Sequence, residues 1–199
     1  MSTAASNQKI TLPDDALLRR VRKGELQAFN LLVLRYQNRV FSMVHRIVGI
    51  PSETEDLAQE IFVTVYRSLS NFRGDCSFST WLYRITVNQC KNRLKFLQRR
   101  NFHRAQDLAD TPEKNFETAR SLVFADPEQQ LMGRQMETLI QQELSNLEDD
   151  FRIILILRDI EQLPYDAIAD ITALPLGTVK SRLHRARALL KARLEPYLK

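Results

Sequence analysis

The chain has 199 residues, of which 44% are hydrophobic and 27% charged, and its formal net charge is +5 at pH 7. This length can bury one large or two small cores, and five glycines among so many charged residues favour helix over sheet. No apolar run reaches the length of a membrane span, and the first residues lack the apolar core of a signal peptide, so we expect a cytoplasmic protein without direct membrane insertion.

The first predicted elements are two helices and the start of a third. Acidic residues after Pro13 open a helix that should end at Gly24. Between residues 25 and 49 apolar residues recur at three- and four-residue steps, which indicates a long amphipathic helix packed on one side. The tetrad 52–55, Ser-Glu-Thr-Glu, predicts a capping box at the start of the third helix.

The third helix has an outer face that carries acids and amides. Leu57 and Ile61 belong to its apolar arc, whereas Asp56, Gln59 and Glu60 share the other side. Spacing alone favours an ordinary solvated helix surface. The sharper alternative is a patch that binds a basic protein partner.

A loop and a basic helix follow. The segment 71–80, NFRGDCSFST, has the composition of a loop. In the next helix an aromatic, an amide and three cations fall on one face: Trp81, Arg84, Asn88, Lys91 and Lys95. Such a face suits unstacked bases and backbone phosphates. The alternative is a half-buried tryptophan beside a solvated basic stripe.

Apolar periodicity fades between residues 98 and 128, where two prolines occur, and this predicts a linker. As a coil it would span about 30 Å. We therefore expect an all-α chain with two small helical domains, residues 1–97 and 129–199, joined by a flexible linker. Residues 1–97 carry fourteen cations and eight acids, so this domain supplies the net positive charge, which suits an anionic partner such as nucleic acid or a membrane surface.

The segment 165–187 is predicted to be a helix-turn-helix. Leu174 and Pro175 break the chain between two helices. In the second helix one apolar stripe recurs at helical spacing: Val179, Leu183, Ala186 and Leu190. Residues 177–193 contain six cations and no acid.

This cationic helix has the pattern of a DNA recognition helix. Ser181, His184 and Arg185 would face base edges, and Lys180, Arg182 and Arg187 would face phosphates. The alternative is a solvated C-terminal helix whose cations complement the helix dipole. That alternative accounts poorly for cations at the start of the helix.

Three motifs in order extend over nearly the whole chain. They are residues 56–60 (DLAQE), residues 72–75 with 79–85 and 88–94, and residues 175–182 (PLGTVKSR). With them the chain resembles the ECF (extracytoplasmic function) group of bacterial sigma-70 type RNA polymerase sigma factors, in particular the RpoE-like type. The resemblance implies an alternative sigma factor that binds core polymerase, recognises the −35 and −10 promoter elements, and promotes DNA melting.

The resemblance also implies a role for each motif. Asp56, Gln59 and Glu60 would bind the β′ clamp coiled coil of core polymerase. The −10 DNA would contact a loop that receives a flipped base and the helix after it: Arg73, Gly74, Asp75, Cys76, Ser77, Phe78, Ser79, Thr80, Trp81, Arg84, Asn88 and Lys91. The −35 DNA would contact the recognition helix: Thr178, Lys180, Ser181, Arg182, His184 and Arg185. The C-terminal domain would also meet the β-flap.

Further partners follow from the same resemblance. An anti-sigma factor would hold the protein inactive, in some cases at the inner membrane, until a stress signal releases it. Promoter DNA and core RNA polymerase would be the other partners, with no small-molecule substrate.

Other function classes are less well supported. A conventional helix-turn-helix regulator that acts without core polymerase would need a dimerisation surface and a sensor domain, and an adaptor would leave both cationic faces unexplained. An enzyme is not expected, because the sequence has no carboxylate cluster at metal-ligand spacing and no nucleophile beside a base. Cys76, Cys90 and three scattered histidines form no metal motif, so we expect no metal, no cofactor and two reduced thiols.

Overall fold

The computed structural model describes the backbone of residues 12–107 and 127–197 and the side chains of residues 12–100 and 136–197. Within these ranges every regular element is helical, which confirms the prediction of an all-α fold. Most of the predicted linker, 98–128, lies outside the described residues. Its first part is helical, because the preceding helix continues to Asp107. The domain boundaries at 97 and 129 stay a prediction.

Eight α-helices can be followed through the described residues. They are α1 Asp14–Arg22, α2 Leu26–Val48, α3 Pro51–Ser68, α4 Phe78–Asp107, α5 Pro127–Ser145, α6 Asp149–Leu155, α7 Tyr165–Thr172 and α8 Leu176–Leu194. A short 3₁₀ turn, Leu69–Asn71, follows α3. One π turn, Ile156–Ile160, continues α6, so the apolar run at 153–157 is helical as predicted.

Helix ends in the first half of the chain, α1 to α4, follow from backbone chemistry. Gly49 ends α2 in the left-handed region, with φ of 74°, where a residue with a Cβ would be strained. The predicted capping box at 52–55 is wrong, because no side chain caps α3 and Ser52 lies inside the helix. Pro51 occupies the first helical position, for which its fixed φ is suited, so the helix begins before the tetrad.

The first half packs four helices around one apolar core. α2 is the central element and contacts α1, α3 and α4. Its fully buried residues Val40, Met43 and Ile47 meet Ile61 of α3 and Leu82 of α4 in the same cluster. Removal of these side chains from water is the main force that holds the half together.

The second half of the chain, α5 to α8, is built around α6. Ile153, Ile154 and Ile156 are buried and α6 packs on α8. Ala173 adopts the left-handed conformation, with φ of 54°, and turns the chain from α7 into α8. The helix-turn-helix at 165–187 is thereby confirmed.

The two halves pack against each other. α4 lies on α7, and α5 and α6 lie on the C-terminal end of α2. Gln141 of α5 donates a hydrogen bond to the carbonyl of His45 at 3.1 Å. Buried Arg152 of α6 donates to the carbonyl of Ile47. We expected two domains joined by a flexible linker, and the structure shows in addition that they share an interface. None of the described helices is both long and apolar enough to cross a bilayer.

Candidate nucleic-acid interface

Helix α8 presents a basic surface because its apolar stripe is buried. Val179, Leu183 and Ala186 face the core, as predicted, and Leu190 is half-buried. The opposite side is exposed and holds four of the predicted −35 residues: Lys180, Ser181, His184 and Arg185. Polar and cationic groups of this kind can reach base edges and phosphates in the major groove.

Several cations of α8 are already paired within the chain. Arg182 forms an ion pair with Asp150 of α6, and Arg187 holds Asp159 through two hydrogen bonds, of which that from Nε measures 3.0 Å. Hydrogen bonding to Asp159 raises the pKa of Arg187. Among residues 12–100 and 136–197, Arg185 forms no ion pair. Arg185 is therefore better available to DNA than Arg182.

The start of α8 lies near an aromatic ring. Lys180 Nζ lies 6.0 Å from the centre of the Tyr165 ring, and the Arg158 guanidinium lies 4.8 Å from it. Thr178 is half-buried in the first turn, and the Ser181 hydroxyl donates to its carbonyl at 3.1 Å. Lys180 and Ser181 stay exposed on the outer face of this turn.

The loop before α4 is shorter than predicted, because α4 begins at Phe78. Arg73, Gly74 and Asp75 are exposed, and Cys76 is half-buried. Gly74 has a φ of 87°, which suits the turn at this position. These four residues, with exposed Ser77, form the accessible part of the predicted base-capturing loop.

The residues that follow them have structural contacts. The Ser77 hydroxyl accepts a hydrogen bond from the backbone N–H of Thr80 at 3.1 Å and so serves as an N-cap. The Ser79 hydroxyl oxygen lies 2.9 Å from that of Ser77. Phe78 is 3% exposed and contacts the rings of Phe72 and Tyr36, so it is a core residue here. Sequence reasoning placed Phe78 in the loop because its flanking residues are polar.

The predicted aromatic and basic face of α4 is partly covered. Trp81 is half-buried, with its ring 5.1 Å from that of Phe72. Arg84 donates to the carbonyl of Asp170 in α7 at 3.1 Å, and Lys91 Nζ lies 2.9 Å from an oxygen of Asp150. Asn88 and Lys95 are exposed on the same face.

The acidic and amide face of α3 is open. Asp56, Gln59 and Glu60 are exposed and line a shallow groove of about 470 Å³. Its other walls are Val63, Thr64, Arg67 and Gln89. Arg93 of α4 lies at the edge and pairs with Glu60 at 2.8 Å and also with Glu53. The groove thus combines two acids and two amides with one cation and exposed Val63, which suits a basic protein segment.

Two acids outside the predicted site are important for its electrostatics. Asp150 contacts Lys91 and Arg182, which hold the pKa of its carboxyl below the ordinary value. Asp159 holds Arg187. The sequence partly indicates an acidic cluster near the helix-turn-helix, because residues 148–150 are a run of three acids before it. Nothing in the local spacing indicates that they meet these particular cations.

The described residues offer no other chemical centre. Within them no group of three or more histidine, cysteine or acidic side chains could hold a metal ion. Cys76 and Cys90 are free thiols, and burial raises the pKa of Cys90 to about 12.

Two family descriptions match the chain in the same order as its two halves. Residues 32–100 match sigma-70 region 2 and residues 137–190 match sigma-70 region 4. The chain is 38% identical over 188 residues to the ECF RNA polymerase sigma-E factor of Haemophilus influenzae, covering 94% of this chain and 98% of that protein. It is 40% identical over 190 residues to the sigma-E factor of Escherichia coli, covering 94% and 97%.

A solved structure has the same fold. The sigma factor RpoE of Bartonella quintana, in complex with the anti-sigma factor NepR, matches with a TM-score of 0.64 at 20% identity. The match covers 84% of this chain and 96% of that one.

Proposed function

The chain belongs to the ECF group of sigma-70 type RNA polymerase sigma factors, and from this membership we propose how its surfaces divide the work of promoter recognition. Region 2, proposed as residues 1–97, binds core polymerase and the −10 element. Region 4, proposed as residues 129–199, reads the −35 element. The sorting of cations and acids onto separate helix faces supports this division. The chain itself carries out no chemistry in this proposal.

Core polymerase binds the groove on α3. Asp56 and Gln59 are exposed in this groove, where they can pair with the basic surface of the β′ clamp coiled coil. Glu60 contributes while it also holds Arg93. Exposed Val63, which also lines the groove, supplies apolar contact area. Charged groups around a small apolar centre favour fast and specific association.

The −10 element binds the loop 73–76 and the face of α4. Extrusion of a base costs a few kcal/mol of stacking and pairing, which stacking contacts of about 1 to 3 kcal/mol each can offset. The exposed loop receives the base, and Trp81, Arg84, Asn88 and Lys91 hold the neighbouring strand. DNA melting then proceeds on binding energy alone.

The −35 element binds the outer face of α8 as duplex. Ser181, His184 and Arg185 face base edges, Lys180 contacts a phosphate, and Thr178 lies in the first turn beside them. Arg182 contributes after it leaves Asp150. The remaining surface of this domain meets the β-flap.

Regulation by an anti-sigma factor is part of the proposal. The Bartonella quintana relative was solved with such a partner bound. We infer the same kind of control for this chain, in a stress response, with the protein in the cytoplasm where the polymerase is.

The observation that carries the proposal is the coexistence of an exposed acidic groove on α3 with an exposed basic face on α8 in one chain. In vitro transcription with core polymerase lacking its own sigma factor, on a genomic promoter library, tests it. Start-site selection that depends on this protein is expected, and the selected promoters reveal the −35 and −10 sequences. A conventional helix-turn-helix regulator would bind DNA in this assay without directing core polymerase to any start site.

A further inference from the structure

The loop 73–76, proposed above to receive the flipped base, has little structure of its own. Its four residues form no hydrogen bond with any part of the chain that the structure describes. Cys76 packs partly against the core, whereas Arg73, Gly74 and Asp75 are exposed. The backbone groups of the loop are left to solvent, so its direction depends on how its two ends are held.

The end after the loop is held by helix α4 and the core beside it. Ser77 caps the first turn of α4 through the backbone N–H of Thr80. Phe78 is buried, and its ring packs edge-on against Tyr36. The Tyr36 hydroxyl in turn donates a hydrogen bond to Asp14 of α1. This end of the loop is therefore fixed by helix capping and by burial.

The end before the loop is held by a cation of α1. The guanidinium of Arg22 donates a hydrogen bond to the carbonyl of Phe72, across 50 residues of sequence. This carbonyl belongs to the peptide bond between Phe72 and Arg73, with which the loop begins. The backbone N–H of Phe72 donates to the carbonyl of Leu69 at 3.2 Å. Arg22 thus fixes the orientation of the first peptide group of the loop.

We propose that Arg22 is a positioning residue for base capture, which directs the loop 73–76 by holding the carbonyl of Phe72. This proposal deepens the role proposed above for the loop and rests on it. Arg22 lies outside the residues that match sigma-70 region 2, which begin at residue 32. Helix α1 would thereby contribute to promoter melting without contacting the captured base.

The same hydrogen bond influences the aromatic ring proposed to hold the neighbouring strand. The ring of Phe72 lies 5.1 Å from that of Trp81 and 6.0 Å from that of Phe78. Trp81 and Phe78 are also 6.0 Å apart, so the three rings form one cluster. A change in the backbone of Phe72 would move the ring on which Trp81 packs. Arg22 therefore acts on the loop and on Trp81 through one residue.

Three substitutions on α1 separate this role from that of a general surface cation. Arg22→Met removes the donor and the charge and keeps an aliphatic side chain. Arg22→Lys keeps a donor and the charge, and one ammonium N–H suffices for one carbonyl. Arg19→Met is the matched control, because Arg19 is an exposed cation of the same helix and forms no ion pair within the described residues. All three sites lie at the surface, so the variants should fold.

The position of the loop is measured first, in the free protein. Trp81 is the sole tryptophan of the chain, so intrinsic fluorescence reports the ring cluster directly. We expect Arg22→Met to shift the emission to longer wavelength and to increase its quenching by acrylamide. The alkylation rate of Cys76 in the loop should rise as well. Arg22→Lys and Arg19→Met should match wild type, and unchanged fluorescence and alkylation in Arg22→Met would overturn the proposal.

Base capture is measured next, with holoenzyme assembled from the full chain and core polymerase. The probe is the single-stranded −10 segment of a promoter selected by this protein, together with copies that each carry one abasic site. Removal of the captured base should weaken binding by wild type the most. We expect Arg22→Met to bind the intact strand about three- to tenfold more weakly than wild type, because a partly exposed charged hydrogen bond is lost.

On the strand that lacks the captured base, Arg22→Met should bind as wild type does, because the contact that it weakens is already absent. Arg22→Lys and Arg19→Met should stay within about twofold of wild type on both strands. Equal losses on the two strands would make Arg22 a phosphate contact and overturn the proposal. If no abasic site weakens binding by wild type, the proposed function of the loop fails, while fluorescence and alkylation still decide whether Arg22 holds it.

Discussion

Arg152 donates a hydrogen bond to the main-chain carbonyl of Ile47, across 105 residues of sequence. Arg152 is 5% exposed, and its guanidinium also donates to the carbonyls of Leu144, Ser145 and Leu147. Asp149 is its carboxylate neighbour, at 3.2 Å. One buried cation thus satisfies the last carbonyls of α2 and α5, groups that have no partner within their own helices.

We predict that Arg152→Ala strongly destabilises the protein. The substitution leaves carbonyls in a buried region without their donor and creates a void, at a cost of about 3 to 5 kcal/mol in the free energy of unfolding. Urea denaturation followed by circular dichroism measures this. The control is Arg193→Ala, where a partly exposed pair with Glu143 should contribute less than about 1 kcal/mol. Similar losses for both variants would contradict the role of Arg152.

We predict that Arg185→Ala weakens sequence-specific DNA binding. Arg185 is exposed at the centre of α8 and its charge is unpaired within the described residues, so a lost base contact should cost about 1 to 3 kcal/mol at a cognate −35 duplex and much less on unrelated DNA. Fluorescence anisotropy with both duplexes checks this. Lys191→Ala, exposed in the last turn of the same helix, is the control. An equal loss on both duplexes would make Arg185 a phosphate contact.

We predict that replacement of Gln59 and Glu60 by alanine weakens binding to core polymerase and leaves DNA binding unchanged. Both side chains line the groove on α3, far from α8 in sequence and on a separate surface. The single variant Gln59→Ala shows the same trend without breaking the pair between Glu60 and Arg93. Asp15→Ala is the control, since Asp15 is an exposed acid on α1 that does not line the groove. Unchanged affinity in a pull-down with core polymerase would remove the groove from the proposed interface.

We predict that the two thiols differ widely in reactivity. Cys90 is 0% exposed and its pKa is raised to about 12 by burial, so almost no thiolate is present at neutral pH. Cys76 is partly exposed in the loop before α4. Alkylation of the native protein, read by mass spectrometry, should label Cys76 alone, and Cys90 should react only after unfolding. Equal labelling rates in the native state would contradict the buried position of Cys90.

We predict that mild acid lowers stability through His45. Burial and the neighbouring Arg46 lower the pKa of His45 in the folded state, and Glu137 of α5 opposes them. Because the folded state disfavours the charged form, stability is lost as pH falls below the unfolded value of about 6.5. Urea titrations on either side of this pH should show the loss, and His45→Gln should reduce it. Glu161, with its pKa raised by burial, acts in the opposite direction at lower pH.

Local patterns were sufficient for the helices and for the faces of α3 and α8. The stripe Val179, Leu183 and Ala186 repeats at the helical period, so its burial and the exposure of Arg185 follow from spacing in one segment. The acidic face of α3 follows in the same way. The roles of these faces in binding stay predictions.

Contacts between distant segments could be identified only in the folded chain. Lys91 and Asp150 are 59 residues apart, and nothing in the sequence around either residue indicates that they pair. Phe78 lies among polar neighbours yet packs on Phe72 and Tyr36, because the aromatic cluster is assembled from three separate segments. Helical periodicity is a property of neighbours along the chain, whereas ion pairs and ring contacts depend on which surfaces meet. The spacing of residues along the chain therefore specified two cationic faces and one acidic face, and the packing of α7 on α4 determined that the cationic face of α4 is partly covered.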